Sequence, residues 1–347
     1  MKVKEIYWLD ELSREHNDIV GKKCANLGEL IRQGLRVPYG FALSVKAYEH
    51  FMESTGLKEK VRQIVEDAVD TGLDVDHDVG KMMETSAEIR GAIEGCPMPP
   101  DLAAEIGRYY SGLQEKLAIG HVACAVRSSG AVSMPGQMET YLNVAGEKAI
   151  IEHVKKVWGS AFTTRAIAFR IQQNMPVFWA PIGVAVIMMI EARSAGVILT
   201  VLPNIGDTDR AIVEGNFGLG ESVVSGEFTP DSFVVHKHEM IIESKTVAEK
   251  RKMVVYDTCG TRLCDVSEDL KDQPCLNNDE ILEIVRVAKD VEKYFAAPQD
   301  MEWVVDSRFA FPESIFWVQA RGAKYAKKEA HRNEECVMDM MLQLFRK

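Results

Sequence analysis

The chain has 347 residues, and its 41 lysines and arginines against 52 aspartates and glutamates give a formal net charge of −11. This acidic balance argues against nucleic acid as the main partner, because phosphate backbones bind basic patches. The sequence contains no apolar run of about eighteen residues and no leader-like N-terminal segment, so we expect a cytoplasmic protein that does not span a membrane. Its seven cysteines are scattered without a Cys-x-x-Cys pair, which is typical of reduced thiols.

The hydrophobic pattern predicts an α+β chain with two lobes. The first lobe is predicted to cover residues 1 to 190, with strands near residues 4–8, 39–43, 121–127 and 140–144 and a helical insertion over about residues 47 to 118. The second lobe is predicted to cover residues 191 to 322, with strands near residues 196–201, 210–214, 231–236, 300–306 and 315–320. A helix is predicted from Asn278 to Phe295, because Asn277 and Glu280 form a capping box ahead of an apolar stripe.

The first candidate for binding an anion is Lys23, in a segment that leads into an apolar-periodic helix. A lysine at the start of a helix can meet an anion, because the helix dipole and the free N–H groups there favour negative charge. The segment is not a P-loop, since Gly-x-x-x-x-Gly-Lys-Ser/Thr does not occur in the chain. A plain surface lysine is the alternative interpretation.

A second candidate is Arg127, which follows the apolar run from Val122 to Val126 and precedes two serines and a glycine. An arginine that leaves a buried strand beside two hydroxyl groups is placed to hold phosphate. The alternative is a structural arginine that caps the core. The next segment, from Met134 to Thr140, combines a rigid turn with Gly136, as a mobile loop over a ligand would.

A glycine-rich segment from Gly215 to Glu221 follows another predicted strand. Its spacing is not Gly-x-Gly-x-x-Gly, which excludes the dinucleotide-binding fingerprint. Either a close approach of the backbone to a ligand or a tight turn explains these glycines.

The most informative segments are the two predicted strands that carry Asp300 and Glu302 on one side and Gln319 and Arg321 on the other. A hairpin would bring Glu302 close to Gln319. Hard oxygen ligands suit Mg²⁺, which proteins hold through one or two carboxylates together with substrate phosphates, and Arg321 could bind a phosphate oxygen through its fork of donors. The alternative is a solvated strand face on which the arginine pairs with the acids.

Taken together, these segments resemble the ATP-grasp nucleotide-binding domain of the phosphoenolpyruvate synthase and pyruvate phosphate dikinase family. The resemblance runs from about Lys22 to Arg321 and includes five segments in the family's order. These are Lys23 with its helix, Arg127 with its two serines, Gly218 to Glu221, Pro230 to Phe233, and the closing pair of strands. The resemblance implies an ATP-grasp fold that holds ATP between two lobes.

The resemblance also implies ATP and Mg²⁺ as cofactors. The residues that it places at ATP are Lys23, Arg127, Gly136, Met188, Met189, Ile190, Glu221, Asp300 and Arg321. Lys23, Arg127 and Arg321 would be catalytic, and Glu302 and Gln319 would ligate the metal. Met188, Met189 and Ile190 end a strand that matches the family segment whose backbone receives adenine.

In this family a histidine on a separate swivelling domain accepts the phosphoryl group from ATP, and none of the eight histidines here lies in a Thr-x-His-like turn. We therefore expect an ATP-binding component that converts ATP to AMP and transfers a phosphoryl group to a histidine on a partner subunit. The favoured identity is the small ATP-binding subunit of phenylphosphate synthase. The alternatives are the nucleotide-binding domain of a phosphoenolpyruvate synthase, a split rifampicin-phosphorylating system, and a non-catalytic nucleotide-sensing module.

The C-terminal segment, residues 323 to 347, is predicted to form an amphipathic helix with an apolar stripe from Val337 to Phe345. Such a stripe packs on its own domain or docks a partner, here the subunit that carries the histidine.

Overall fold

The computed structural model describes residues 3–70, 79–131, 138–224, 226, 228–258 and 260–326. The α-helices in these ranges are α1 (Asn17–Val20), α2 (Lys22–Arg32), α3 (Val45–Ser54), α4 (Leu57–Asp70), α5 (Val79–Gly95), α6 (Pro100–Leu117), α7 (Glu147–Ser160), α8 (Thr164–Gln172), α9 (Glu221–Val224) and α10 (Asn278–Phe295). The strands are β1 (Ile6–Trp8), β2 (Gly40–Leu43), β3 (Ala123–Ser129), β4 (Thr140–Ala145), β5 (Gly183–Met188), β6 (Ala192–Leu199), β7 (Arg210–Phe217), β8 (Asp231–His236), β9 (Ile241–Thr246), β10 (Lys252–Tyr256), β11 (Thr261–Asp265), β12 (Gln299–Asp306) and β13 (Ile315–Gly322).

The first sheet has five antiparallel strands in the order β1-β2-β5-β3-β4. Successive side chains of a strand point to opposite sides, and an apolar core covers each face of this sheet. Phe41 and Val184 pack into one core with helices α3 to α7, in which Phe51 stacks on Trp158. Ala42 and its neighbours in β5 pack into a second core on the opposite face.

The second sheet has six antiparallel strands in the order β13-β12-β6-β7-β8-β9. Helix α10 packs its apolar stripe on this sheet, within the core that also contains Trp303 of β12. Its N-terminus is fixed by the predicted capping box: the Asn277 side chain accepts from the Glu280 N–H, and the Glu280 carboxylate accepts from the Asn277 N–H, both at 2.9 Å.

Helix α2 joins the two sheets. Its buried residues, among them Cys24 and Leu27, belong to the same core as β2, β5, β12 and α10. The Asn26 side chain donates to the Ala320 carbonyl of β13 at 2.7 Å. One apolar core therefore extends from the first sheet through α2 to the second sheet.

The structure corrects several details of the predicted elements. Helices α7 and α8 and the strands β9, β10 and β11 were not predicted. Strand β3 continues to Ser129, so Arg127 lies inside a strand and not beyond its end. In the C-terminal segment, residues 323 to 326 are not helical, and the Ala323 and Ala326 N–H groups bond to the Pro298 and Pro203 carbonyls. The remainder of the predicted terminal helix lies outside the described residues.

Candidate functional site

A cavity of about 390 Å³ lies between the two sheets. Ala125, Leu142 and Ile187 line it from the first sheet, and Val304 and Val318 line it from the second. Arg127, Thr140, Glu221 and Glu302 add polar groups to this apolar wall. An apolar cavity with a few converging polar groups is the usual form of a small-molecule site.

Met188, Met189 and Ile190, which we call the hinge, lie at the end of β5, whose last residue is Met188, and they line the cavity. The Met188 N–H donates to the Tyr39 carbonyl and the Met189 N–H to the Ala123 carbonyl, each at 2.8 Å. The Ile190 N–H makes no hydrogen bond with any residue that the structure describes. The hinge therefore lines the cavity, and two of its three N–H groups are already used within the protein.

The predicted hairpin is formed by β12 and β13, and it places Glu302 directly opposite Gln319 and Asp300 opposite Arg321. The register shifts just after Glu302, because Trp303 pairs with Trp317. Val318 is the extra residue of this bulge and lines the cavity. Bulges often re-aim a side chain beside a functional site, and a sequence pattern with simple alternation does not reveal this one.

Arg127 joins the two sheets at the polar end of the cavity. Its Nη2 donates to Gln319 Oε1 at 2.9 Å and lies 3.7 Å from Glu302 Oε2. The Gln319 amide in turn donates to Glu302 Oε1 at 2.6 Å. Arg127 Nε is buried without a hydrogen-bond partner among the described residues. An unpaired buried donor is costly, and here it is well suited to an anionic ligand.

Asp300 and Arg321 form a second pair next to this cluster. Arg321 Nε donates to Asp300 Oδ2 at 2.8 Å, and its Nη2 forms an ion pair with the same oxygen at 2.7 Å. The Arg321 side chain is 49% exposed and that of Asp300 is 18% exposed. Asp300 therefore holds the Arg321 guanidinium at the solvent-facing side of the site.

Lys23 lies in the first turn of α2 and is half-buried. The pKa of its ammonium group is lowered to about 8, mainly by burial and also by the positive charges of Arg127 and Arg321, against the opposing charge of Glu302. Lys23 therefore lies close enough to the hairpin residues to interact with their charges, and it belongs to the same cluster. Neighbouring positive charges repel one another, and a bound anion would offset this repulsion.

Close packing on β3 fixes the position of Lys23. The Cys24 N–H donates to Ser129 Oγ at 3.1 Å, and the Lys22 N–H donates to the Gly130 carbonyl at 3.1 Å. Gly21 has φ +80°, and a Cβ there would lie 2.1 Å from the Ser129 carbonyl oxygen. Ser129 therefore anchors the start of the helix.

The donor set at the hairpin fits Mg²⁺. Glu302 supplies a carboxylate and Gln319 an amide oxygen on neighbouring strands, and both are hard oxygen ligands. Within the described residues, no group of three or more His, Cys, Asp or Glu is placed to hold a metal ion. Such a sparse set suits Mg²⁺, which is commonly bound through one or two protein ligands together with phosphate oxygens.

The remaining predicted residues have different surroundings. Glu221 lines the cavity and accepts a hydrogen bond from the Thr261 hydroxyl at 2.9 Å. Gly136 lies outside the described residues. Asp231 of the Pro-Asp-x-Phe segment is fully buried in an ion pair with Lys250 at 2.7 Å, and it also accepts from the Cys275 N–H. That aspartate is therefore structural.

Sequence reasoning missed the ribbon formed by β10 and β11, which contacts both walls of the cavity. The Leu219 N–H donates to the Val254 carbonyl at 2.9 Å, and the Tyr256 hydroxyl donates to the Ile190 carbonyl. From β4, the Asn143 amide donates to the carbonyls of Asp257 and Gly260. The run from Met253 to Tyr256 followed by a turn with Gly260 is a hairpin signal that could have revealed it.

In the described part of the chain, no helix is both long enough and apolar enough to cross a membrane.

Comparison with known proteins gives consistent matches. A family model described as "Pyruvate phosphate dikinase, AMP/ATP-binding domain" matches residues 17–340. The probable phosphoenolpyruvate synthase of Staphylothermus marinus is 37% identical over 345 residues, which cover 91% of this chain and 41% of that protein. The probable phosphoenolpyruvate synthase of Methanocaldococcus jannaschii is 38% identical over 343 residues, which cover 96% of this chain and 28% of that protein.

A further relative, the phosphoenolpyruvate synthase of Aeropyrum pernix, is 35% identical over 352 residues, which cover 92% of this chain and 42% of that protein. The chain therefore spans less than half the length of these curated relatives.

Proposed function

Because the chain belongs to the pyruvate phosphate dikinase AMP/ATP-binding domain family, we propose that it is the nucleotide-binding part of a phosphoenolpyruvate synthase type dikinase. ATP and Mg²⁺ are the cofactors of this family. The relatives support this alternative better than the phenylphosphate synthase favoured from the sequence.

The observation that carries the proposal is the meeting of Arg127, Glu302 and Gln319 at the polar end of the cavity, with the hinge on its apolar wall. A flat apolar base fits between Ile187 and Val304 beside the hinge. A polyphosphate then extends toward the unpaired Nε of Arg127 and the charge of Lys23. This arrangement matches the amphiphilic shape of ATP.

In the proposed mechanism these side chains position the phosphates and stabilise the charge that moves during transfer. Lys23, Arg127 and Arg321 donate to phosphate oxygens, and Asp300 keeps the Arg321 guanidinium in its place. Glu302 and Gln319 would hold Mg²⁺, which when bound neutralises phosphate charge. To expose its amide oxygen to a metal, Gln319 would give up the hydrogen bond from Arg127, which frees that arginine for the phosphates.

The acceptor histidine comes from elsewhere in the proposed reaction. None of the described residues that line the cavity is a histidine. We propose that a carrier histidine, on another domain or on a partner subunit, enters the polar end of the cavity and attacks the β-phosphorus of ATP, so that AMP leaves and the histidine carries a pyrophosphoryl group. Water then releases the terminal phosphoryl group as inorganic phosphate and leaves a phosphohistidine. The product named by the relatives, phosphoenolpyruvate, would then form at a site outside this chain.

A two-step experiment tests this function. Calorimetric titration is expected to show MgATP binding by the wild-type chain, and strongly reduced binding by Arg127→Met. AMP formation is then followed with the chain alone and after addition of a fragment of the Aeropyrum pernix relative that lacks the matching region. We expect AMP only from the mixture, and steady AMP formation by the chain alone with phenol or pyruvate would contradict the proposal.

A further inference from the structure

The carbonyl of Ile190 in the hinge already has a partner inside the protein. It accepts a hydrogen bond from the hydroxyl of Tyr256, which reaches it from the ribbon. Burial raises the pKa of this tyrosine well above its usual value, so the hydroxyl stays protonated and donates at neutral pH. Ile190 lines the cavity, whereas Tyr256 is not among its lining residues. The tyrosine is therefore placed to act on the hinge and not directly on a ligand.

Tyr256 is held in place because the ribbon is attached to both walls of the cavity. On one side, the Asn143 amide donates to the Asp257 carbonyl at 2.6 Å and to the Gly260 carbonyl at 3.0 Å. Asn143 has φ +56° within β4, a conformation that asparagine tolerates better than most residues. On the other side, the Leu219 N–H donates to the Val254 carbonyl.

The hinge therefore offers the Ile190 N–H as a donor, whereas the Ile190 carbonyl is not free to accept a hydrogen bond from a ligand. Its Met188 and Met189 N–H groups bond to Tyr39 and Ala123, and the Ile190 N–H is unpaired among the described residues. The Ile190 carbonyl, in contrast, is engaged by Tyr256. A base that binds here meets a backbone N–H beside a carbonyl that is already in use.

This pattern discriminates between purines by their N1 position. Adenine has an acceptor at N1, which can receive the Ile190 N–H. A 6-oxopurine such as hypoxanthine or guanine has an N–H at N1 and needs an acceptor at the hinge. Selectivity of this kind arises when the disfavoured ligand leaves a buried donor unpaired.

We propose that Tyr256 is a positioning residue that makes the site selective for adenine over 6-oxopurines, by holding the Ile190 carbonyl away from the base. The inference rests on the proposed function, because it takes the cavity as the ATP site. Removing the hydroxyl frees the 190–191 peptide to turn its carbonyl toward an N1–H group.

The test compares the binding of MgATP with that of magnesium inosine triphosphate, which differs from ATP only at the edge of the base that carries N1 and the 6-substituent. Wild type is expected to prefer ATP by about tenfold, the usual effect of one unpaired donor. Tyr256→Phe is expected to lower this ratio by about fivefold or more, mainly because inosine triphosphate gains affinity. Tyr294→Phe is the matched control, since its hydroxyl bonds to Glu29 away from the cavity, and its ratio should equal that of wild type.

Asn143→Gly is the second variant, because it keeps the positive φ while releasing the ribbon turn. This variant is expected to lower the ratio of ATP affinity to inosine triphosphate affinity, as Tyr256→Phe does. Its result is sufficient to test the proposal if Tyr256→Phe does not fold. An unchanged ratio, or an equal loss of both nucleotides, would overturn the role of Tyr256 while leaving the ATP site in place. Failure of wild type to bind either nucleotide would instead overturn the proposed function, and the inference with it.

Discussion

At the scale of single residues, the site depends on charges that are only partly satisfied. Arg127 bonds to Gln319 and faces Glu302, yet its Nε has no partner among the described residues. Lys23 is half-buried beside two other cations. Both features are energetically unfavourable on their own, and an anionic ligand would relieve both. The positive charges that would bind phosphates are therefore not completely neutralised by nearby carboxylates.

Glu302→Gln is expected to remove most of the gain in ATP affinity that Mg²⁺ provides, because one hard, charged ligand is lost from a sparse set. ATP affinity measured in EDTA should change little, and the circular dichroism spectrum should match that of wild type. Glu283→Gln, at an ion pair with Arg286 on the surface of α10, is the control with the same chemical change. If the Mg²⁺-dependent gain persists within about twofold in the Glu302 variant, the hairpin is not the metal site.

The affinity for ATP is expected to fall as the pH rises above about 8, because Lys23 has its pKa lowered to about 8 by burial. Below this pH the free site already carries the positive charge. Above it, binding must first take up a proton, so affinity should decrease by up to about tenfold per pH unit until the pKa of the bound state is reached.

Calorimetry in buffers of different ionisation enthalpy should detect proton uptake near pH 8.5, an estimate from that pKa of about 8. Lys23→Met should bind more weakly at pH 7 but show a flatter pH profile. An identical pH profile in this variant would mean that another group titrates.

At the scale of elements, glycine and a strand bulge bring the site residues together. Gly21 allows the start of α2 to contact the end of β3, which places Lys23 near Arg127. The bulge after Glu302 keeps Glu302 opposite Gln319 while Trp303 pairs with Trp317. Gly196 and Gly215 leave room for the Trp303 ring, since a Cβ at either would lie 2.7 Å from it.

Gly21→Ala is expected to destabilise the chain by about 1–3 kcal/mol or more, because its backbone conformation is nearly exclusive to glycine and the new methyl group meets backbone atoms of β3. Gly34→Ala is the control, since it also has a positive φ of +76° but nothing lies within 4 Å of the added Cβ. Its cost should be about 1 kcal/mol. Urea unfolding measures both values, and equal costs would show that the packing of α2 on β3 is loose.

At the scale of the whole molecule, the two sheets are not independent, because α2 and its neighbours form one continuous core with the second sheet and α10. The cavity lies between these sheets, and the ribbon contacts both of its walls. A ligand in the cavity is therefore expected to stabilise both sheets at once.

MgATP at about one hundred times its dissociation constant is expected to add about 2.7 kcal/mol to the free energy of unfolding. Calorimetry should show a single transition that moves upward by several degrees, since the core is shared. Arg127→Met should abolish most of this shift while unfolding in the same way without nucleotide. Two separate transitions, only one of which responds to MgATP, would contradict the shared core.

Much of this protein is determined by local sequence. The helix from Asn278 to Phe295 and its capping box are confirmed at their predicted positions, because the signals for a helix start and an apolar stripe are local. The α+β fold and the family that the motifs indicated are confirmed as well. The pairing of Glu302 with Gln319 is also confirmed, since two apolar strands joined by a turn-rich connection form a hairpin.

Only the tertiary structure decided how these segments combine, because contacts between distant residues have no local sequence signal. The bond from Arg127 to Gln319 spans 192 positions of the chain, and the anchoring of α2 by Ser129 spans 105. The contact from Tyr256 to the hinge was missed for the same reason, because the two residues are 66 positions apart, although the ribbon itself has a local hairpin signal. The sequence determined which chemical groups are available, and the packing of two sheets around α2 determined which of them meet.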